Sequence, residues 1–296
     1  MRLVYTENVH ALTLPREHKF PTAKYDKLVA TLAREHASVM MLGAPAAWSD
    51  IEAVHSRPYV DAVRSGTLPA AAVRRLGFPW SPELVLRSRR SVGGTLAALA
   101  WAVETGAAGH VAGGTHHAFR DRGEGFCTFN DLAVAIEVAR RDHGVRRALV
   151  VDLDVHQGNG TASIFAGDDD VFTLSLHGAR NYPFAKEAST LDVSLPDGCD
   201  DATYLRALDG ALEQVRGFAP ELTLYQAGVD GLAGDRLGRM SLSHAGLQAR
   251  DARVFAFARS LGVPIVVTLG GGYGRDIDAT VEAHANVYRG LCEAMG

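Results

Sequence analysis

Five short apolar runs in this chain each end in glycine or in polar residues of the kind that bind ligands. His110 to Ala112 runs into Gly113-Gly114-Thr115-His116-His117. Ala148 to Leu153 runs into Asp154 and His156, and Val171 to Leu176 into His177-Gly178. Leu222 to Gln226 leads to Gly228 and Asp230, and Pro264 to Leu269 to Gly270-Gly271-Gly272-Tyr273-Gly274. Stretches of helical length and pattern lie between the runs. Apolar strands alternating with helices belong in a mostly parallel sheet, of about eight strands, covered on both faces. In such sheets ligands sit outside the carboxyl ends of the strands. The five polar exits would then converge on one rim.

Leu3 to Tyr5 and Ser38 to Leu42 are the remaining predicted strands. The predicted helices are Thr22 to Glu35, Glu83 to Thr105, Asp131 to Asp142, Ala202 to Arg216, Ser243 to Ser260 and Ile277 to Ala294. Ser49 and Glu52 form a capping-box pattern, which predicts a short helix from Asp50 to His55. Leu68 to Pro82, with Pro69, Pro79 and Pro82, reads as a loop leading into a helix. No repeat or linker interrupts the chain, so one α/β domain over residues 1–296 is expected.

Composition removes whole classes of function. A net charge of -4 gives no reason to expect a nucleic-acid partner. The paired arginines, such as Arg89-Arg90 and Arg146-Arg147, read as solvated helix faces or termini. No apolar run is long enough to span a membrane, and the first ten residues lack a secretory pattern. Cys127, Cys199 and Cys292 form no CxxC pair, the usage expected of a reducing cytoplasm. Cys127 reads as a small buried apolar residue.

The richest segment is VVDLDVHQGNG, Val150 to Gly160. Side chains two apart on a strand point the same way. Asp152, Asp154 and His156 would therefore share one face. Burying two carboxylates at the end of an apolar strand is costly unless cations or donors answer them. A divalent metal is the simplest answer, with Asp154 and His156 as ligands and Asp230 completing the set. Two carboxylates and one imidazole leave positions open for water and substrate. The same donors accept zinc or ferrous iron.

His116 and His117 offer a general base, since imidazole titrates near neutral pH. Asp152 and Asn159 flank the ligands, and each can orient one imidazole. Tyr273 follows three glycines that let the backbone approach a ligand, and a neutral phenol can stabilise an oxyanion. The histidines at positions 10, 18, 36, 55, 143, 244 and 284 read as surface, helix-face or cap residues.

These motifs resemble those of the zinc-dependent histone deacetylase family. They are GGTHHAF (Gly113 to Phe119), GFCTFND (Gly125 to Asp131), VDLDVHQGNG (Val151 to Gly160), QAGVDGLAGDRLG (Gln226 to Gly238) and LGGGYG (Leu269 to Gly274). DVHQGNG and GDRLG are most similar to the class IV branch and its bacterial relatives. The resemblance implies the arginase/deacetylase-like fold and removal of acetyl or longer acyl groups from lysine. It implies Asp154, His156 and Asp230 as zinc ligands, His117 as general base, and His116 paired with Asp152. Tyr273 would bind the oxyanion. Gly125, Phe126 and Tyr182, with Gly271 and Gly272, would line the substrate tunnel. A structural potassium ion would be held by Asp152, Asp154, His156, Ser175 and Leu176. Asn159 departs from the better-known classes, where an aspartate pairs with the second histidine, so His117 should be less readily protonated.

Arginase-like enzymes share this fold and hold two manganese ions. They need another acid two residues beyond the histidine, where this chain has Gly158. Other substrates on the same machinery would be acetylpolyamines or small N-acyl metabolites, although an acetylpolyamine hydrolase would favour a longer entrance loop. A non-catalytic acyl-lysine reader would need no general base. The expected substrate is therefore an acyl-lysine protein or a small acylated amine. Nothing fixes the oligomeric state.

Overall fold

The structure is a computed structural model that describes residues 1–7, 12–15 and 17–296. Its centre is an eight-stranded sheet. The strands are β1 (Arg2–Tyr5), β2 (Met40–Leu42), β3 (Ala107–His110), β4 (Ala148–Asp152), β5 (Val171–Gly178), β6 (Leu191–Leu195), β7 (Leu222–Gln226) and β8 (Ile265–Thr268). All pairings are parallel, in the order β2-β1-β3-β8-β7-β4-β5-β6. This is the arginase/deacetylase-like α/β architecture. The chain passes from β3 to β4 and fills the gap between them later, with β7 and β8. Four polar strand exits thereby become neighbours.

Both faces of the sheet are buried, so adjacent strand residues enter different cores. Leu149, Val151, Tyr225, Ile265 and Val267 belong to one apolar cluster. Val150, Leu224 and Val266 belong to the other. The first core is covered by α1 (Ala23–His36), α8 (Asp201–Val215), α9 (His244–Leu261) and α10 (Ile277–Met295). The second is covered by α2 (Trp48–Glu52), α3 (Arg57–Ser65), α5 (Pro82–Thr105) and α6 (Asp131–His143). Two short helices remain, α4 (Ala70–Leu76) and α7 (Asn159–Ile164). Three of the long helices start where a side chain accepts from a free backbone N–H group. Ser81 accepts from Leu84 N, Asn130 from Ala133 N and Ser243 from Gly246 N.

Several elements depart from the sequence expectation. Strand β3 occupies Ala107–His110 rather than His110 to Ala112. Its small residues are needed because a side chain at Gly109 would press on the Tyr288 ring. The first short helix starts at Trp48 with Ala47 at its N-cap, and Ser49 caps nothing. Trp48 fixes that turn, packing edge-on to Phe129 with Arg89 over its ring. The expected loop from Leu68 to Pro82 contains α4, because its prolines flank the alanine-rich run instead of interrupting it. Strand β6 was not expected. It is an edge strand with only Leu195 fully buried, so its apolar signal is diluted.

Candidate active site

The exits of β3, β8, β7 and β4 build one site at the carboxyl end of the sheet. Strand β4 ends at Asp152, short of the expected Leu153. Asp154 and His156 therefore lie beyond the strand, and local turns aim them. Asp152 Oδ1 accepts from Asp154 N at 3.2 Å, and Asp154 Oδ1 accepts from His156 N at 3.0 Å. A carboxylate that binds the backbone two residues on curls the chain in this way.

Asp154, His156 and Asp230 come together, all buried, with one ligand atom from each within 4.8 Å of the others. His156 Nδ1 lies 2.9 Å from Asp154 Oδ1 and 3.1 Å from Asp230 Oδ2. The second contact is off-line, and Asp230 Oδ2 has no hydrogen-bond partner among the described residues. An orphaned buried carboxylate oxygen is costly. Two carboxylates and an imidazole with an unanswered lone pair fit a divalent cation. Burial and the neighbouring Asp154 push Asp230 up to about 7. Burial works against charge on His156, but the hydrogen bond to Asp154 and the nearby Asp230 carboxylate outweigh it and raise its pKa to about 10. Left to themselves, the three groups hold a proton where a cation would otherwise balance the charge.

The glycines here leave room for the carboxylates. A Cβ at Gly271 would overlap Asp230 Oδ2, and one at Gly228 would overlap Asp154 Oδ2. Gly271 N donates to Asp154 Oδ2 at 2.7 Å. Behind them, fully buried Arg250 donates to the carbonyls of Leu153 and Gly228, tying the β4 and β7 exits together.

The two histidines have different partners. His116 Nδ1 is 2.6 Å from Asp152 Oδ2. Burial disfavours its charge, but Asp152 and Asp154 more than compensate and raise its pKa to about 8. His117 Nδ1 is 2.7 Å from Asn159 Oδ1. Burial and the nearby His116 and His156 charges hold His117 well below the usual imidazole range. The two imidazoles are thus pushed in opposite directions, His116 toward the protonated form and His117 toward the neutral one.

Sequence reasoning missed Glu124. Its Oε1 accepts from Asn159 Nδ2 at 2.7 Å and from the Tyr182 hydroxyl at 2.8 Å. This settles the orientation of the Asn159 amide. The NH2 must face the carboxylate, so the oxygen faces His117 and Nδ1 carries the hydrogen. Glu124 stands just before the GFCTFND motif, and its sequence neighbours give no sign of what it would meet.

Tyr273, Phe126 and Tyr182 line one opening above the ligand groups. The Tyr182 ring is 5.0 Å from His117, and Phe126 is 6.1 Å from Tyr273. Phe126 has φ of +67°, a strained conformation for a side-chain-bearing residue. Tilted ring contacts, with Phe20 at 5.5 Å and Phe78 at 5.3 Å, hold it there. Burial and the Asp154 and Asp230 charges push the Tyr273 phenol well up, so it stays protonated. The GDRLG segment clamps Tyr273 from behind. Asp235 Oδ2 accepts from Tyr273 N at 2.6 Å, and Arg236 Nε donates to Tyr273 O at 2.7 Å. Lys24, also missed, is buried beneath the glycine run, 3.2 Å from Gly272 O. Burial lowers its pKa to about 8.

Ser175 faces Asp152 in the strand register, and Ser175 and Leu176 are buried. Cys127 is a buried free thiol whose pKa burial raises. His177 bonds Ser175 and Ser194 within the sheet. His55 and His284 are not surface groups. Both are buried, and His55 joins the Phe119 carbonyl to Asn130 N. His10 lies outside the described residues.

A parallel sheet that gathers metal-type ligands, a histidine pair and a tyrosine at one rim defines a hydrolase-type α/β protein. The chain belongs to the histone deacetylase family: the histone deacetylase domain model matches residues 18–289. It is 42% identical to an uncharacterised protein of Picosynechococcus sp., over 93% of each chain. It is 32% identical to histone deacetylase 2 of Arabidopsis thaliana, over 92% of this chain and 74% of that one. The crystal structure of an HDAC homolog from Aquifex aeolicus superposes with a TM-score of 0.82 at 26% identity, covering 100% of this chain and 84% of that one. The chain is accordingly a hydrolase of the deacetylase and amidohydrolase type. Among the described residues, no helix is long and apolar enough to cross a membrane.

Proposed function

We propose that this protein hydrolyses Nε-acyl-lysine amides, using one divalent ion held by Asp154, His156 and Asp230. The observation that carries this reading is the convergence of three buried ligand groups with neutral His117 and protonated Tyr273 at the base of one tunnel. The whole chain serves as one catalytic domain. Zinc is the ion proposed, with ferrous iron as the other candidate. When bound, the ion supplies Lewis-acid polarisation of the scissile carbonyl and acidifies the attacking water. A structural potassium ion beside Asp152, Asp154, His156, Ser175 and Leu176 belongs to the same proposal.

The protein groups have distinct tasks. His117 presents the lone pair of Nε2, because Asn159 keeps the hydrogen on Nδ1. It takes a proton from the attacking water and returns it to the leaving lysine amine. His116, cationic against Asp152, stabilises the negative charge that develops next to it. The Tyr273 hydroxyl donates to the oxyanion. Gly125, Phe126 and Tyr182 enclose the lysine chain, with Gly271 and Gly272 letting the backbone close in behind. A small cavity of about 40 Å³ extends past the ligands, beside Phe20, Tyr25 and Cys127. It suits an acetyl group better than a long acyl chain.

The test is turnover of matched acetyl-, octanoyl- and myristoyl-lysine peptides by metal-loaded protein. Acetyl-lysine should be cleaved fastest. Absence of turnover with all three would leave the acyl-lysine reading without support.

A further inference from the structure

The tunnel opens into a mouth of about 630 Å³. Five basic side chains line it, Lys19, Arg75, Arg180, Arg236 and Arg239, and no acidic residue among the described residues does. They come from four separate segments: the chain before α1, helix α4, the β5 exit and the β7 exit. All five are exposed. Asp197 is shared by two of them, at 2.7 Å from Arg180 and 3.2 Å from Arg239, so that group keeps a net positive charge. Arg236 donates to the carbonyls of Tyr273 and Lys19 and has no carboxylate partner among the described residues. Lys19 and Arg75 likewise have no carboxylate partner among the described residues. Glu124, the carboxylate behind Tyr182, is taken up by Asn159 and the Tyr182 hydroxyl and faces Arg122. Asp235 is taken up by the N–H groups of Tyr273, Leu237 and Gly238. Asp154 and Asp230 lie at the tunnel floor.

A chain of net charge -4 has no compositional reason to gather cations at this mouth. A concave surface lined by one sign of charge concentrates partners of the other sign. We propose that the natural substrate presents its acyl-lysine among acidic residues. This rests on the acyl-lysine reading above and narrows it. A lysine entering the tunnel loses its own charge on acylation, so the flanking residues decide the electrostatic fit. Acidic side chains two or three residues away would meet Lys19 and Arg75 on one side and the Arg180–Arg239 pair on the other. A polycation such as an acetylpolyamine would be repelled by the same groups.

Three acetyl-lysine peptides of equal length, flanked by Glu, Ser or Lys, provide the test with metal-loaded protein. At low salt, kcat/KM should fall in the order Glu, Ser, Lys, with about tenfold or more between the extremes. The gap should close at about 0.5 M salt, where the screening length is under about 5 Å. The double variant Lys19→Gln/Arg75→Gln should reduce the Glu-to-Lys ratio about threefold or more. Its kcat on the Ser peptide should stay near wild type, because neither side chain touches the reacting groups. Equal rates on the Glu and Lys peptides, or faster cleavage of the Lys peptide or of acetylspermidine, would overturn the proposal. So would a Glu preference that survives both salt and the double variant. If no peptide is cleaved, the acyl-lysine reading fails, but fluorescence anisotropy of the labelled peptides still decides the charge preference. Tighter binding of the Glu peptide supports it, and equal binding refutes it.

Discussion

Exchanging the two ends of one hydrogen bond tests whether His117 is oriented through Asn159 and Glu124. Glu124 Oε1 lies 2.7 Å from Asn159 Nδ2, and both residues are buried. Asn159→Asp would put two carboxylates in contact where a donor and an acceptor now meet. Unit charges about 4 Å apart repel by about 4 kcal/mol at an effective dielectric of about 20. Glu124 can relieve part of this by turning toward Arg122, whose Nε is 3.7 Å from Oε2. That movement abandons the Tyr182 hydroxyl and frees the new carboxylate to leave His117. An unrelieved residue of about 2 kcal/mol corresponds to about thirtyfold in kcat/KM. Glu124→Gln alone replaces a charge-assisted bond with a neutral one, about 1 kcal/mol and about fivefold. Together the substitutions restore complementarity. The introduced amide NH2 donates to the introduced carboxylate, and the Tyr182 hydroxyl, which meets the same atom, rotates to accept the second N–H. The double variant should return to within about threefold of wild type. Steady-state assays on an acetyl-lysine peptide give the four corners of the cycle, and the coupling should reach about 2 kcal/mol. Additive effects, or Asn159→Asp at wild-type rate, would refute the linkage.

Three further outcomes are expected. Tyr273→Phe should keep the metal, measured by elemental analysis, and lose turnover by about two orders of magnitude, as for other oxyanion donors; near-normal rates would remove Tyr273 from the mechanism. Asp154→Ala should abolish metal binding, and full occupancy in that variant would contradict the ligand assignment. In metal-stripped protein the pKa of His116, raised to about 8, makes the His116–Asp152 pair stabilising at low pH. The contribution is complete below about pH 6.5 and disappears as pH rises through about 8, and amounts to about 2 kcal/mol. Denaturant melts of wild type and Asp152→Asn should therefore converge above about pH 9, and a constant difference across that range would argue against the pairing.

The sheet was legible because its central strands are buried on both faces and so read as continuous apolar runs. The elements that escaped lacked that mark. Strand β6 is half exposed, β3 is built from Ala107, Ala108 and Gly109, and α4 is short and framed by prolines. At the site, local spacing revealed Asp154 and His156, which lie two residues apart. The contacts of Glu124 are of another kind. They join residues 35 and 58 positions away, and no periodicity records them. The cationic mouth escaped for the same reason. Lys19, Arg75 and Arg180 lie far apart in the sequence, and only the fold places them around one opening with Arg236 and Arg239.

Gly158 shows how a position can carry more than its sequence reading. In the sequence it marks a missing acid, and so a missing ligand for a second metal. In the structure a Cβ at Gly158 would overlap Asp152 Oδ2 and come within 3.3 Å of His116 Nδ1. Any side chain there would push Asp152 off His116. The 2.6 Å pairing that raises the His116 pKa therefore requires the glycine. A carboxylate at this position would do more than add a ligand, because it would displace Asp152 from the His116 it pairs with. Under the proposed one-ion reading, Gly158 therefore serves the histidine pair as well as withholding a ligand from a second ion.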